Sequence, residues 1–137
     1  MRAATSPLVH VVIAVIERDG RVLITRRPRG THLGGLWEFP GGKRRPGESA
    51  VACLRREIHE ELSISVRVGA WLGRLRYDYP ERRVRLAVYR SDLISGAPKP
   101  LSSAAVRWVR VDQLSRYEFP PANLPLLQRL SPVAQSC

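Results

Sequence analysis

No stretch of this chain approaches the roughly 20 consecutive apolar residues that a bilayer-spanning helix requires. The start, MRAATSPLVHVVIAVIE, carries one early arginine and a short β-branched run, but no cleavage site, so it reads as a strand and not as a signal peptide. Cysteine is scarce. Cys53 and Cys137 are the two present, too few for a disulfide framework, which points to a reducing compartment and the cytoplasm. Internal repeats and low-complexity segments are missing as well. Acid is in short supply: 12 Asp and Glu stand against 23 Lys and Arg, a formal net charge of +11 that attracts polyanions. The basic residues are scattered from Arg26 to Arg129 without aromatic interleaving on one stripe, so stable nucleic-acid binding is not expected.

What is present suits one globular domain spanning residues 1–137, with 44% hydrophobic residues to build a core. Val9 to Ile16 is a continuous β-branched run. Glu17-Arg18-Asp19-Gly20 signals a turn, and Arg21 to Arg26 resumes an extended pattern, which predicts a hairpin. A basic loop follows from Arg26 to Gly30. Later, Val66 to Tyr77 reads as a strand bent at Gly69 or Gly73, turning at Pro80-Glu81 into a strand over Arg83 to Tyr89. Asp92 to Ser103, with Gly96, Pro98 and Pro100, reads as a loop. Ala105 to Val111 is the last strand, and Asp112-Gln113-Leu114 opens a short helix. In the closing helix Asn123 stands as N-cap, Pro125 lies in the first turn, and Leu126, Leu127 and Leu130 face inward. Strands interrupted by one long helix and closed by another predict an α/β sandwich around a mixed sheet.

The chain is organised around Trp37 to Ile64. The second half of that stretch is helical, with Val51, Leu54, Ile58 and Leu62 on one apolar stripe. Glu57, Glu60 and Glu61 fall together on a neighbouring face, a crowding that costs a few tenths of a kcal/mol per like-charged pair. A cation would remove that cost. Hard divalent ions, Mg²⁺ above all, take oxygen ligands and bridge carboxylates to substrate phosphates. Upstream, Pro40-Gly41-Gly42 lets backbone approach a ligand closely, and Gly47-Glu48-Ser49 supplies a turn and a helix start.

Gly42, five residues, Glu48, seven residues, then Arg56-Glu57-Ile58-His59-Glu60-Glu61 resembles the Nudix box, the signature of enzymes that hydrolyse nucleoside diphosphates linked to another moiety. One position departs: the family's glycine after the Glu-Glu pair is Ser63. It either bears a left-handed strain of about 1 kcal/mol or closes the helix another way. The likeness continues in Ile24-Thr25-Arg26-Arg27, in WEFPGGK from Trp37 to Lys43, in Tyr77-Asp78-Tyr79-Pro80 and in Phe119-Pro120-Pro121-Ala122-Asn123, which look like the MutT type that clears oxidised guanine nucleotides.

The resemblance implies a Nudix α/β/α sandwich and hydrolysis of a nucleoside triphosphate, preferentially 8-oxo-dGTP, to the monophosphate and pyrophosphate. Mg²⁺ is the implied cofactor, with Mn²⁺ as a substitute, and a small-molecule nucleotide is the implied partner of a monomer or weak dimer. It implies Glu57, Glu60, Glu61 and the Gly42 carbonyl as metal ligands, with Glu48 a further candidate, and Arg56 holding a box carboxylate. Arg27, Phe39, Lys43, Arg82 and Asn123 would lie at the nucleotide. Asn123 has two roles open, helix cap or purine reader, and Phe39 two more, core aromatic or stacking platform. MutT-type enzymes also carry a glutamate in the loop before the final strand, whereas Ser95 to Ala105 holds no acid. Glu57 is then the first choice of general base and Glu48 the second. His10, His32 and His59 are not required by the motif. The rival readings are a Nudix hydrolase of ADP-ribose, a dinucleoside polyphosphate or an RNA 5′ end, and a non-catalytic reader of oxidised guanine.

Overall fold

The structure is a computed structural model that describes residues 6–130. Seven strands form one mixed sheet: β1 (Leu8–Arg18), β2 (Arg21–Arg26), β3 (Trp37–Glu38), β4 (Gly41–Lys43), β5 (Ser65–Tyr79), β6 (Arg82–Ser95) and β7 (Ala105–Arg110). The helices are α1 (Ala50–Leu62) and α2 (Leu124–Leu130), with 3₁₀ turns at Val111–Arg116 and Pro121–Asn123. Strands run in the order β3-β2-β1-β6-β5, while β4 pairs with β1 and β7 with β2.

The predicted first hairpin forms, and its two-residue turn has positive φ at both Asp19 (51°) and Gly20 (76°), the backbone that matches the twist of the flanking strands. β1 and β2 pair only near this tip, at Glu17 with Val22 and Arg18 with Arg21. Beyond it they part. The freed half of β1 takes β4 on one side, Val12 opposite Gly42, and β6 in parallel on the other, Val12 opposite Ala87. That divergence opens the sheet where the glycines enter it.

Alternation along β1 splits its side chains between two cores. Ile13 and Val15 join Val22, Ile24, Phe39, Leu86 and Val88 beneath α2 and the 3₁₀ turns. Val12, Ala14 and Ile16 pack with Leu54, Ile58 and Leu62 of α1 on the opposite face. The predicted sandwich is therefore observed. Among the described residues no helix is long and apolar enough to cross a membrane.

Several local expectations are corrected. The strand expected to end at Tyr89 continues to Ser95, because Asp92 to Ser95 pair with β5 down to Ser65 opposite Ser95. β5 shifts register on both sides of Trp71, so it bends near Gly69 and Gly73 together. Val51 is exposed, and Cys53 is buried in its place because β4 runs along that flank of α1. Its thiol points to the Lys43 carbonyl at 3.5 Å, and burial pushes its pKa up to about 11. Asn123 ends a 3₁₀ turn that begins at Pro121, so it lies inside the helical segment and does not cap it. Pro125 does fall in the first turn of α2, and Leu126 and Leu130 are buried, while Leu127 is only partly so.

Candidate active site

The box helix is held at both ends. Ser49 accepts a hydrogen bond from the Ala52 amide at 3.0 Å as N-cap, as its position before the apolar stripe predicts. At the other end Ser63 adopts φ 58° and ψ 37°, so it takes up the left-handed turn a glycine would make, and its amide donates to the His59 carbonyl. The loop before β7 closes the same end from outside. Lys99 N–H donates to the Leu62 carbonyl and Leu101 N–H to that of Glu61.

Arg56 answers the carboxylate crowding on one side of the helix. Its Nε and Nη2 clasp both Glu48 oxygens at 2.7 and 2.9 Å, and its Nη1 reaches Glu57 Oε1 at 2.6 Å and Glu60 Oε1 at 3.1 Å. A further bond from Nη2 to the Lys43 carbonyl ties the helix to β4. Glu48 also accepts from the Arg45 amide. The Arg56 guanidinium and that amide hold its carboxyl down to about 2.

The other side of the helix faces a cavity of about 460 Å³. Its acidic wall is Glu57 and Glu61, standing over Gly41 and Gly42 of β4. These two glycines are required by close approach. A Cβ at Gly41 would collide with β1, 2.7 Å from Ile13 Cα, and one at Gly42 would run into the Glu57 carboxylate. Burial pushes the Glu61 carboxyl up to about 8, reinforced by its hydrogen bond with Glu57 and by the charges of Glu57 and Glu38, against a backbone hydrogen bond from Gly41.

The Glu57 and Glu61 carboxylates, together in one wall with the Glu61 pKa raised, would suit a hard divalent cation. Among the described residues no set of three or more His, Cys, Asp and Glu side chains is gathered to hold a metal. The acids in the cavity wall are the Glu57 and Glu61 carboxylates, with Glu38, paired to Arg27, a third. Glu60 does not line the cavity, and its side chain is 52% exposed on the Arg56 rim. Glu48 and Arg56 lie outside the lining too.

Arg27, Phe39, Lys43, Arg82 and Asn123 all reach the same cavity, although the sequence spreads them over nearly a hundred positions. Phe39 is buried, with its ring 5.4 Å from that of Phe119, so it serves the core and lines the cavity at once. Asn123 is only 6% exposed, and its side-chain amide bonds to no other described residue. The lining also includes polar side chains that were not expected there, His32, Glu38 and Tyr79 among them. Glu38 pairs with Arg27 at 3.3 Å, and its pKa is raised by burial against that partner's pull. His32 packs edge-on to Tyr79 and takes the Arg27 Nε bond on its carbonyl at 2.7 Å. For Glu38 a signal existed, an acid between the buried aromatics Trp37 and Phe39. For Tyr79 the signal was its place in Tyr77-Asp78-Tyr79-Pro80, whereas for His32 there was none, since only the folded chain brings it to the cavity.

The NUDIX domain profile matches residues 11–129. The chain is 35% identical over 121 residues to the CTP pyrophosphohydrolase of Escherichia coli (strain K12), covering 88% of this chain and 90% of that one. It is 29% identical over 122 residues to the 8-oxo-dGTP diphosphatase of the same organism, covering 88% and 95%. Among solved structures, the MutT protein of Methanosarcina mazei Go1 superposes with a TM-score of 0.83 at 25% identity, over 92% of this chain and 94% of that one. On these likenesses, the chain belongs to the NUDIX domain family and is a Nudix hydrolase of the MutT type.

Proposed function

We propose that this protein hydrolyses a nucleoside triphosphate to the monophosphate and pyrophosphate in the cytoplasm, with 8-oxo-dGTP as preferred substrate and Mg²⁺ as cofactor, Mn²⁺ substituting. The observation that carries the reading is the joint presence, in one cavity, of the Glu57 and Glu61 carboxylates and the buried Asn123 amide, which bonds to no other described residue. Glu57, Glu61 and the Gly42 carbonyl would hold the ion, with Glu60 joining from the rim. A bound divalent ion supplies charge neutralisation on the phosphates and orientation of the attacking water.

The chain's own residues do the rest. Arg27, Lys43 and Arg82 face the polyphosphate and offset its charge. Asn123 offers a donor and an acceptor to the purine edge. Phe39 gives the base an apolar wall. Glu57 accepts the proton of the nucleophilic water. Glu48 is the weaker choice for that step, because Arg56 and the Arg45 amide occupy its oxygens and its carboxyl sits near 2, a poor proton acceptor at neutral pH. Arg56 and Glu48 instead fix where Glu57 points.

A second reading has its own support: the relative with 35% identity is named a CTP pyrophosphohydrolase, which favours a pyrimidine triphosphate. Product analysis with 8-oxo-dGTP, dGTP and CTP side by side, Mg²⁺ present, separates the two. A strong preference for 8-oxo-dGTP upholds the first, and faster turnover of CTP replaces it with the second. Glu57→Gln should abolish turnover while nucleotide still binds.

A further inference from the structure

The β1-β6-β5 part of the sheet carries a second concavity on the face opposite the cavity described above. Side chains alternate, so Val11, Val84 and Leu86 line the catalytic side, whereas His10, Arg85 and Tyr89 emerge on the other. There α1 covers only part of the sheet, and beyond its first turn a groove of about 360 Å³ stays open. His10 stands opposite Arg85, and Tyr89 opposite Trp71, with Arg74 on β5 and Arg44 at the rim.

Trp71 is the feature that asks for an occupant. Its side chain is large and apolar, the residue is 58% exposed, and it stacks on no other aromatic ring among the described residues. The charged side chains that line the groove with it, Arg44, Arg74 and Arg85, are all basic. Arg85 bonds to Asp78 at 2.9 Å, but Arg74 has no ion pair among the described residues, and Arg44 spends only its Nε, on the Glu48 carbonyl. Cations interleaved with exposed aromatics are what a single-stranded nucleic acid requires, phosphates for the guanidinium groups and unstacked bases for the indole. An acidic peptide would use the charge and leave Trp71 idle. A duplex would present no base face to it.

We infer that this groove, formed by Arg44, Arg74, Arg85, Tyr89 and Trp71, binds single-stranded nucleic acid at a site separate from the catalytic cavity. In sequence these residues are scattered; the parallel pairing of β1 with β6 and the bend of β5 gather them.

The test is fluorescence anisotropy of a labelled oligothymidylate of roughly ten nucleotides, within the span such platforms take up, against the full chain at several salt concentrations. Binding should weaken as salt rises. Trp71→Ala should weaken it roughly tenfold or more while Trp71→Phe, which keeps a ring, stays near the parent. Arg74→Ala should lower the salt slope by about 0.7, and Asn123→Ala, in the catalytic cavity, should leave binding unchanged. Circular dichroism of Trp71→Ala checks that the fold persists. Absence of binding at low salt overturns the inference. So does indifference to Trp71→Ala, or equal competition by an unlabelled duplex of the same length, or loss of binding in Asn123→Ala.

Discussion

At the proposed ion site Glu61 should make divalent-ion binding a proton-releasing event, with the amount following from its carboxyl lying near 8. At pH 7 about nine molecules in ten carry that proton. The ion needs the charged carboxylate, so binding at pH 7 should expel about 0.9 proton, falling to about 0.5 at pH 8 and about 0.1 at pH 9. Apparent affinity should then rise about ninefold from pH 6 to 7 and about fivefold from pH 7 to 8, and level off above. Calorimetric titration of Mn²⁺ or Mg²⁺ in two buffers of different ionisation heat counts the protons directly. Glu61→Gln should bind more weakly and lose the pH slope. The metal-free fold behaves in the opposite sense. Because Glu61 is raised above its unfolded value of 4.5, protonation favours the folded state, so stability falls as pH climbs from 4.5 through about 8. An affinity that is flat between pH 6 and 8, with no proton released at pH 7, would refute the placement of a buried acid pair at the ion site.

Gly42→Ala should keep the far-UV circular dichroism spectrum but cut kcat about 100-fold, since its Cβ displaces the Glu57 carboxylate and misplacements of this size cost that much; parent-like turnover would mean that Glu57 acts from another position. Arg56→Lys should lower kcat/KM about 10 to 100-fold, because a single ammonium cannot clasp Glu48 and reach Glu57 at once. Ser63→Gly should raise stability by about 1 kcal/mol, about 3–5 °C in Tm, by relieving the left-handed serine, and a fall in Tm would place the strain elsewhere. Glu48, held near 2, should stabilise the fold above about pH 4.5 and lose that contribution as pH drops towards 2. An acid melting series on the parent and Glu48→Gln reads the difference.

Those parts of the site written in consecutive residues were legible. Ser49 before an apolar stripe announces a capped helix, and the spacing of Glu57 to Glu61 announces a shared face, because both are set by one turn of backbone. What the sequence could not disclose depends on contacts across the fold. Nothing local says that Glu61 turns into a cavity while Glu60 stays on the rim, since that choice is made by Gly41 and Gly42 arriving from β4. β3 and β4 are too short to show a period of their own, and they exist because β2 and β1 supply partners. Val51 matches the apolar stripe by angle yet lies exposed, whereas Cys53 is buried by a neighbour eleven residues upstream. Asn123 was legible as a chemical type and not as a place: the turn begun at Pro121 takes away the capping role and leaves its amide to the cavity.

Glu61 has two hands in different places. Its carboxyl reaches into the cavity, while its backbone carbonyl receives the Leu101 amide from the segment that precedes β7. A pull on the side chain, from an ion or a nucleotide, is therefore transmitted to a stretch with no wall in the cavity, and the solvent exchange of the Leu101 amide hydrogen should slow when the cavity fills.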